Sequence, residues 1–160
     1  MRDNVSILAL PAIASALGWI SRRRLTKQAD RAVREFAIKT ASIDSLITSL
    51  SGGNQQKVVI SKSLSTDPLV ILLDDPTRGI DVGAKSEIHR ILNRLTAQGC
   101  GVLLVSSELQ ELLAMSDRVI VMYRGLIRAL LTQADADRDY VMALATGVHT
   151  PVAAGETAVI

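Results

Sequence analysis

The fold is decided by two stretches of sequence, LSGGNQQK at residues 50–57 and VILLDDPTRGID at residues 70–81. The first places two glycines ahead of a helical pattern, and glycine lets the backbone come close to another group at a helix start. The second opens with four aliphatic residues that end at Asp74, which is typical of a strand buried on both faces of a sheet. We therefore predict a glycine-led helix followed by a buried strand whose carboxyl end carries carboxylates.

The pattern on either side of these stretches alternates helices with short apolar strands. Apolar residues at helical spacing predict an amphipathic helix from Thr26 to about Thr40 and another helix across residues 88–95. Aliphatic runs predict further strands at residues 102–105 and at residues 118–122. This alternation predicts an α/β fold with a mostly parallel sheet.

The composition excludes several classes of function. A length of 160 residues fits one domain, and 48% hydrophobic residues argue against a disordered protein. One Trp, two Tyr, one Phe and a net charge of +2 provide neither the stacking platform nor the basic surface of a nucleic-acid-binding protein, so we expect no nucleic-acid partner. The single cysteine, Cys100, cannot form an intramolecular disulfide, which favours a reducing compartment.

An uncharged segment at residues 5–20 allows an alternative in which the chain is anchored in a membrane. The segment is shorter than the roughly 20 residues that a spanning helix needs, it contains Pro11, and three arginines follow it at residues 22–24. An amphipathic or buried segment with Pro11 near a helix N-terminus explains the same residues.

Two candidate sites follow from the residues themselves. Ligands of an open α/β sheet bind beyond the carboxyl ends of the strands, where Asp74 is typical of a carboxylate that holds Mg²⁺ on a nucleotide. Ser51, Gly52 and Gly53 at a helix start suit a phosphate, because helix N-termini attract anions. Each motif taken alone is also explained by an ordinary turn, with Ser51 as an N-cap in the second case.

Taken together, the two stretches resemble the signature motif, Walker B strand and D-loop of ABC-transporter ATPases. The resemblance is to the second cassette of tandem-cassette importers for monosaccharides such as ribose, galactose and xylose. Three features carry this narrower resemblance: Asn54, the run at residues 76–85, and Val105-Ser106-Ser107-Glu108 at residues 105–108.

The resemblance covers roughly residues 1–147 and implies a partial P-loop NTPase fold of the ABC ATPase type. That fold combines a mostly parallel sheet and flanking helices with part of the helical signature subdomain. It implies a helical signature region over about residues 1–68, a Walker B and later sheet region over about residues 69–147, and a flexible tail at residues 148–160.

The family's functional positions carry over to residues of this chain. The resemblance implies that Ser51, Gly52, Gly53 and Asn54 form the signature that contacts ATP bound by an opposing cassette. It also implies that the D-loop residue Asp81 faces that opposite site.

The chain's own catalytic positions depart from the family pattern. Asp74 would be the Walker B carboxylate that holds Mg²⁺. Asp75 stands where a glutamate usually positions the attacking water, and its carboxylate is one methylene shorter. Ser107 stands at the switch-histidine position, and a serine lacks the imidazole's charge. These two departures put hydrolysis at this chain's own site in doubt.

The phosphate-binding pattern G-x-x-x-x-G-K-[ST] is absent from the 160 residues. GIDVGAKS at residues 79–86 is nearest to it, with Ala84 in place of the second glycine, and we interpret this run as the D-loop and the start of the next helix. The resemblance implies that the Walker A loop precedes Met1 in a complete cassette, so the chain looks like the C-terminal portion of one.

The resemblance implies an ATP-binding and ATP-hydrolysing component of an ABC sugar importer, with ATP and Mg²⁺ as cofactors. The implied partners are a second ABC cassette or the missing N-terminal part, membrane permease subunits and, indirectly, a periplasmic sugar-binding protein. The implied location is cytoplasmic, peripheral on the inner face of the cell membrane. The alternative is a truncated or split cassette that is inactive alone and acts only by docking to another cassette or a permease.

Overall fold

The computed structural model describes residues 1–14 and 19–148, and the chain divides into two compact units at Val105 and Ser106. The predicted boundary near residue 68, between a helical signature region and a Walker B and later sheet region, stays a prediction. Except for Val148, the predicted tail lies outside the described residues.

The first unit contains helices and a two-stranded sheet. Its helices and strands are α1 (Arg2–Ser6), α2 (Leu10–Ile13), α3 (Arg22–Glu35), α4 (Gly52–Leu64), β1 (Val70–Asp74), α5 (Val82–Ala97) and β2 (Gly101–Val105). Short 3₁₀ turns occupy Ile7–Ala9 and Ile47–Ser49. The glycine-led helix and the strand after it are therefore α4 and β1, as predicted.

The N-terminal segment is partly buried in its described part. Pro11 lies in the first turn of α2, where its missing N–H costs no hydrogen bond. Val5 and Ala9 are buried, whereas Ile7 and Leu8 are about half exposed. Among the residues described, the structure contains no helix that combines the length and the apolar character needed to cross a bilayer.

The helix predicted to end near Thr40 ends earlier because of a local capping motif. Ala37 adopts a left-handed φ of 47°. The Ala37 N–H donates to the Arg34 carbonyl and the Ile38 N–H donates to the Val33 carbonyl, which is the Schellman pattern with alanine in the usual glycine position. Phe36 and Ile38 are thereby turned into the core, where both are buried.

The sheet of the first unit is parallel, and only one of its faces is buried. β1 pairs with β2 in the register Val70↔Gly101 to Asp74↔Val105. Ile71 and Leu73 are buried on the face that α5 covers, as α5 packs against β2. Leu72 on the other face is 73% exposed, so the prediction of burial on both faces is wrong for β1. No described element covers that second face.

The second unit contains an antiparallel hairpin and two helices, which are α6 (Leu109–Met115), β3 (Arg118–Tyr123), β4 (Leu126–Thr132) and α7 (Arg138–Thr146). Arg124 and Gly125 both have positive φ in the two-residue turn between the strands, as a type I′ turn requires. The core of this unit consists of Val119, Val121, Ala136, Val141 and Leu144.

The strand predicted at residues 118–122 is therefore present, but its pairing differs from a parallel arrangement. β3 pairs antiparallel with β4, since a two-residue turn is enough to reverse the direction of the chain. The sequence analysis did not predict β4. The α/β class with a parallel sheet and flanking helices is confirmed by the first unit.

Candidate functional site

The N-terminal ends of α4 and α5 lie against each other. A Cβ atom built on Gly53 would lie 2.4 Å from the Cβ of Ala84, a separation that real Cβ atoms do not show. The same construction on Gly52 gives 3.5 Å to Ile80 Cγ2, an ordinary contact. Gly53 therefore permits the close approach of the two helices, whereas Gly52 is exposed at the start of α4.

A pocket of about 180 Å³ opens beside this helix contact. Its lining combines residues that the sequence analysis assigned to two separate motifs. The lining residues are Lys39, Ser51, Gly53, Asn54, Lys57, Asp81, Gly83, Ala84 and Glu87. The structure thus brings the predicted signature residues Ser51, Gly53 and Asn54 together with the predicted D-loop residue Asp81.

The side chain of Asn54 connects two segments at this pocket. Its Oδ1 accepts a hydrogen bond of 2.8 Å from the backbone N–H of Lys39. Its Nδ2 donates a hydrogen bond of 2.8 Å to Ser51 Oγ. The Ser51 side chain does not accept a hydrogen bond from the first turn of α4. The backbone N–H groups of that turn therefore lack a side-chain cap.

Asp81 begins α5 as its N-cap residue. Its Oδ1 accepts a hydrogen bond of 2.9 Å from the backbone N–H of Ala84. Because α5 starts at Val82, Gly83 and Ser86 both lie inside the helix. The helix start predicted within residues 79–86 is therefore present, and the assignment of this run to the D-loop stays a prediction.

Lys57 and Glu87 form a buried link between α4 and α5 that the sequence analysis missed. Lys57 is 1% exposed; its Nζ lies 2.5 Å from Glu87 Oε2 and donates to the Ala37 carbonyl at 3.0 Å. Nothing in the sequence around Lys57 predicts its burial. Its partners, Glu87 on α5 and the Ala37 carbonyl, come from other parts of the chain. A charged group this deeply buried requires such partners.

The charges around Glu87 favour its ionised form. The hydrogen bond from Lys57 and the charge of Lys57 lower the pKa of the Glu87 carboxyl, and the charges of Lys39 and Arg90 act in the same direction. Partial burial opposes this shift. The pocket wall beneath the signature residues is therefore an ion pair at neutral pH.

The predicted Walker B carboxylates lie at the carboxyl end of β1, outside the lining of this pocket. Asp74 is exposed. Asp75 adopts a left-handed φ of 44°, and its N–H donates to the Val105 carbonyl at 2.8 Å. The described residues contain no group of three His, Cys, Asp or Glu side chains able to hold a metal, so Asp74 would need phosphate oxygens as further ligands.

The predicted switch position, Ser107, lies in the second unit before α6 and is exposed. Its neighbour Ser106 fixes the local turn, because Ser106 Oγ donates to Glu111 at 2.7 Å and accepts from the Glu108 N–H at 3.1 Å. This turn presents Ser107 at the end of the loop that follows β2.

Comparison with known proteins yields a family and relatives by sequence. A profile described as ABC transporter matches residues 2–78. The ribose import ATP-binding protein RbsA 2 of Rubrobacter xylanophilus is 47% identical over 154 residues, which are 96% of this chain and 30% of that protein. The ribose import ATP-binding protein RbsA of Bacillus licheniformis is 46% identical over 149 residues, with coverages of 92% and 30%. The chain spans about 30% of the length of these curated relatives.

Solved structures give the same result for the fold. A bacterial ABC transporter cassette in dimeric form is similar with a TM-score of 0.69 at 25% identity, covering 82% of this chain and 56% of that one. The ADP conformation of another ATP-binding cassette is similar with a TM-score of 0.68 at 23% identity, covering 91% and 58%. The predicted fold class is confirmed.

Proposed function

This chain belongs to the ABC transporter family and contains part of an ATP-binding cassette. From that premise we propose that it supplies the signature side of an ATP site whose phosphates are bound by an opposing cassette of a sugar importer. The observation that carries the proposal is the pocket in which Ser51, Gly53 and Asn54 meet Asp81. In an ATP site shared by two cassettes, one cassette holds the phosphate loop. The other must bring a signature turn and a D-loop to the same place, and in this chain both candidates line one pocket.

The pocket has the chemistry to receive a phosphate group. The exposed N-terminal end of α4 offers backbone N–H groups and the positive end of the helix dipole to an anion. Lys39 adds a positive charge to the lining. The Ser51 hydroxyl lies at the mouth of the same turn, so Ser51 and the backbone of Gly52 and Gly53 would contact the terminal phosphate of ATP.

The chain's own Walker B side plays the weaker catalytic part in this proposal. Asp74 would hold Mg²⁺ together with phosphate oxygens, and the ion would neutralise phosphate charge. Asp75 would position water less well than a glutamate, because a shift of one bond length moves it out of hydrogen-bonding reach. Ser107 would hydrogen-bond a phosphate without supplying an imidazole's charge.

The proposed partners follow from the relatives. The similar bacterial cassette forms a dimer, and the relatives are named ribose import proteins. We therefore infer a second cassette as the direct partner, membrane permease subunits as the docking platform, and a periplasmic sugar-binding protein as an indirect partner. We propose accordingly that the chain is cytoplasmic and peripheral on the inner face of the cell membrane.

The experiment compares two variants in an importer assembly that combines this chain with a cassette bearing a Walker A loop. Ser51→Arg is expected to lower ATP turnover at least tenfold, because the side chain fills the helix N-terminus that must meet the phosphate. Asp75→Asn is expected to lower turnover much less. The reverse ranking, with Asp75→Asn abolishing turnover and Ser51→Arg tolerated, would restore Asp75 as the principal catalytic carboxylate.

A second candidate function is docking without catalysis, and the uncovered sheet face supports it. Val70, Leu72, Leu103 and Val105 are each between 47% and 73% exposed on one face of the parallel sheet. A chain that acts only through this face would support the same turnover with either Ser51→Arg or Asp75→Asn in place.

A further inference from the structure

The hydrogen bonds of Asn54 determine what the Ser51 hydroxyl can do. Asn54 has one amide oxygen that accepts and one amide nitrogen that donates. The backbone N–H of Lys39 can only donate, so the atom 2.8 Å from it must be Asn54 Oδ1. The orientation of the amide is therefore fixed by its partner.

The fixed amide places its nitrogen on the serine. Asn54 Nδ2 lies 2.8 Å from Ser51 Oγ and donates to it, which occupies one lone pair of that oxygen. The Ser51 hydroxyl proton cannot point along the same line, because two donors would then face each other. The proton is left to point away from Asn54, at the exposed mouth of the pocket.

We propose that Asn54 is a positioning residue that presents the Ser51 hydroxyl as a hydrogen-bond donor to a phosphate oxygen, and that Asn54 acts through Ser51 rather than by touching the anion. This inference rests on the proposed function and refines the role that the resemblance gives to Asn54.

A deprotonated phosphate oxygen accepts hydrogen bonds and cannot donate one, so a donor-oriented hydroxyl is the orientation that binds it. A carboxylate at position 54 would reverse the arrangement. In Asn54→Asp the second oxygen accepts the Ser51 proton, while the first still accepts from the Lys39 N–H. The variant therefore keeps the size and the tether of Asn54 but turns the hydroxyl inward.

The test uses the ¹⁵N-labelled 160-residue chain with inorganic phosphate as the probe. The measured quantity is the initial slope of the Gly52 and Gly53 amide shifts against phosphate concentration. Wild type is expected to respond, and Ser51→Ala and Asn54→Asp are each expected to lower the slope about tenfold, the effect of one hydrogen bond to a charged group. Protection of the Lys39 amide from hydrogen exchange reports that Asn54→Asp keeps its fold and its tether.

The double variant separates the inference from the proposed function. If Asn54 acts through Ser51, adding Asn54→Asp to Ser51→Ala lowers the slope by much less than tenfold, and the residual loss measures the added charge alone. If the two effects multiply, Asn54 meets the anion directly, and the positioning role is overturned while the proposed function stands. A wild-type chain whose Gly52 and Gly53 amides do not respond to phosphate refutes the phosphate site itself, and the inference falls with it. Equal non-zero slopes for wild type and Ser51→Ala would overturn the hydroxyl contact and with it the positioning role of Asn54. Loss of Lys39 protection in Asn54→Asp would overturn the tether.

Discussion

At the residue scale, Gly52 and Gly53, which we propose as signature glycines, are required for different physical reasons. The sequence presents Gly52 and Gly53 as an equivalent pair. Only the packing of α5 distinguishes them, because a side chain on Gly53 would collide with Ala84 while one on Gly52 would make an ordinary contact. Gly53 is thus required for the packing of α4 on α5, whereas Gly52 leaves the exposed start of α4 without a side chain.

We expect Gly53→Ala to lower the free energy of unfolding by about 1–3 kcal/mol, because α4 and α5 must move apart to admit the methyl group. Gly52→Ala is the matched control and is expected to change it by less than about 1 kcal/mol. Urea denaturation of both variants measures the difference. Equal stability of the two variants would show that the helix contact is not tight.

At the element scale, α4 and α5 are joined by an ion pair under the pocket. Lys57 from α4 reaches Glu87 on α5 and the carbonyl that ends the Schellman turn after α3. Three segments are therefore held by one ammonium group. Removing the Glu87 carboxylate leaves the buried Lys57 ammonium facing the neutral Ala37 carbonyl, which is costly for a buried charge.

We expect this pair to make stability depend on pH in the acid range. The pKa of Glu87 is lowered in the folded state, so its contribution is present above the ordinary Glu value of about 4.3 and is lost as the pH falls through the folded pKa. The free energy of unfolding of wild type should therefore fall more steeply than that of Glu87→Gln between about pH 5 and pH 3.

The control for this prediction is Glu35→Gln. Glu35 pairs with Arg31 at 3.2 Å, and because Arg31 is 72% exposed, water screens this interaction more than that of the buried Lys57. This variant is expected to keep the acid slope of wild type in urea denaturation series. The prediction is contradicted if Glu87→Gln and wild type lose stability in parallel.

At the scale of the whole chain, the parallel sheet has one buried and one exposed apolar face. Leu72 and Leu103 are direct partners in the register and are 73% and 47% exposed. Leu73, the next residue along β1, is 8% exposed on the opposite face. Contiguous exposed apolar side chains of this kind mark a surface for association or aggregation.

We expect the double variant Leu72→Gln, Leu103→Gln to bind less of an apolar dye such as ANS and to aggregate more slowly, with little change in unfolding free energy. Leu73→Gln has the same chemistry on the covered face and is expected to cost about 2–5 kcal/mol. Dye fluorescence, light scattering and urea denaturation give the three readouts. Equal losses of stability for the two faces would mean that both are buried in solution.

Much of the fold was predictable because its signals are local. Four aliphatic residues before Asp74 predict β1, and glycines before a helical pattern predict the start of α4. The prediction of burial on both faces of β1 was wrong because an aliphatic run reports what a strand can bury, while its actual burial depends on which elements cover it. β4 was missed because its sequence, LIRALLT, does not alternate apolar with polar residues, so no strand pattern followed the turn at Gly125.

Local sequence patterns set the α/β class, the order of helices and strands in the first unit, and the residue types of the proposed signature turn and D-loop. Those features depend on neighbours along the chain, whose spacing sets helix, strand and cap. The tertiary structure alone decided that Ser51, Gly53, Asn54 and Asp81 share one pocket, that Lys57 is buried against Glu87, and that Asn54 holds Ser51. The shared pocket and the Lys57–Glu87 pair depend on contacts between segments 15 to 30 residues apart, such as Lys39 with Asn54 and Lys57 with Glu87, and no local pattern encodes the distance between such atoms. The Asn54–Ser51 bond spans only three residues, but its direction is set by the distant Lys39 N–H.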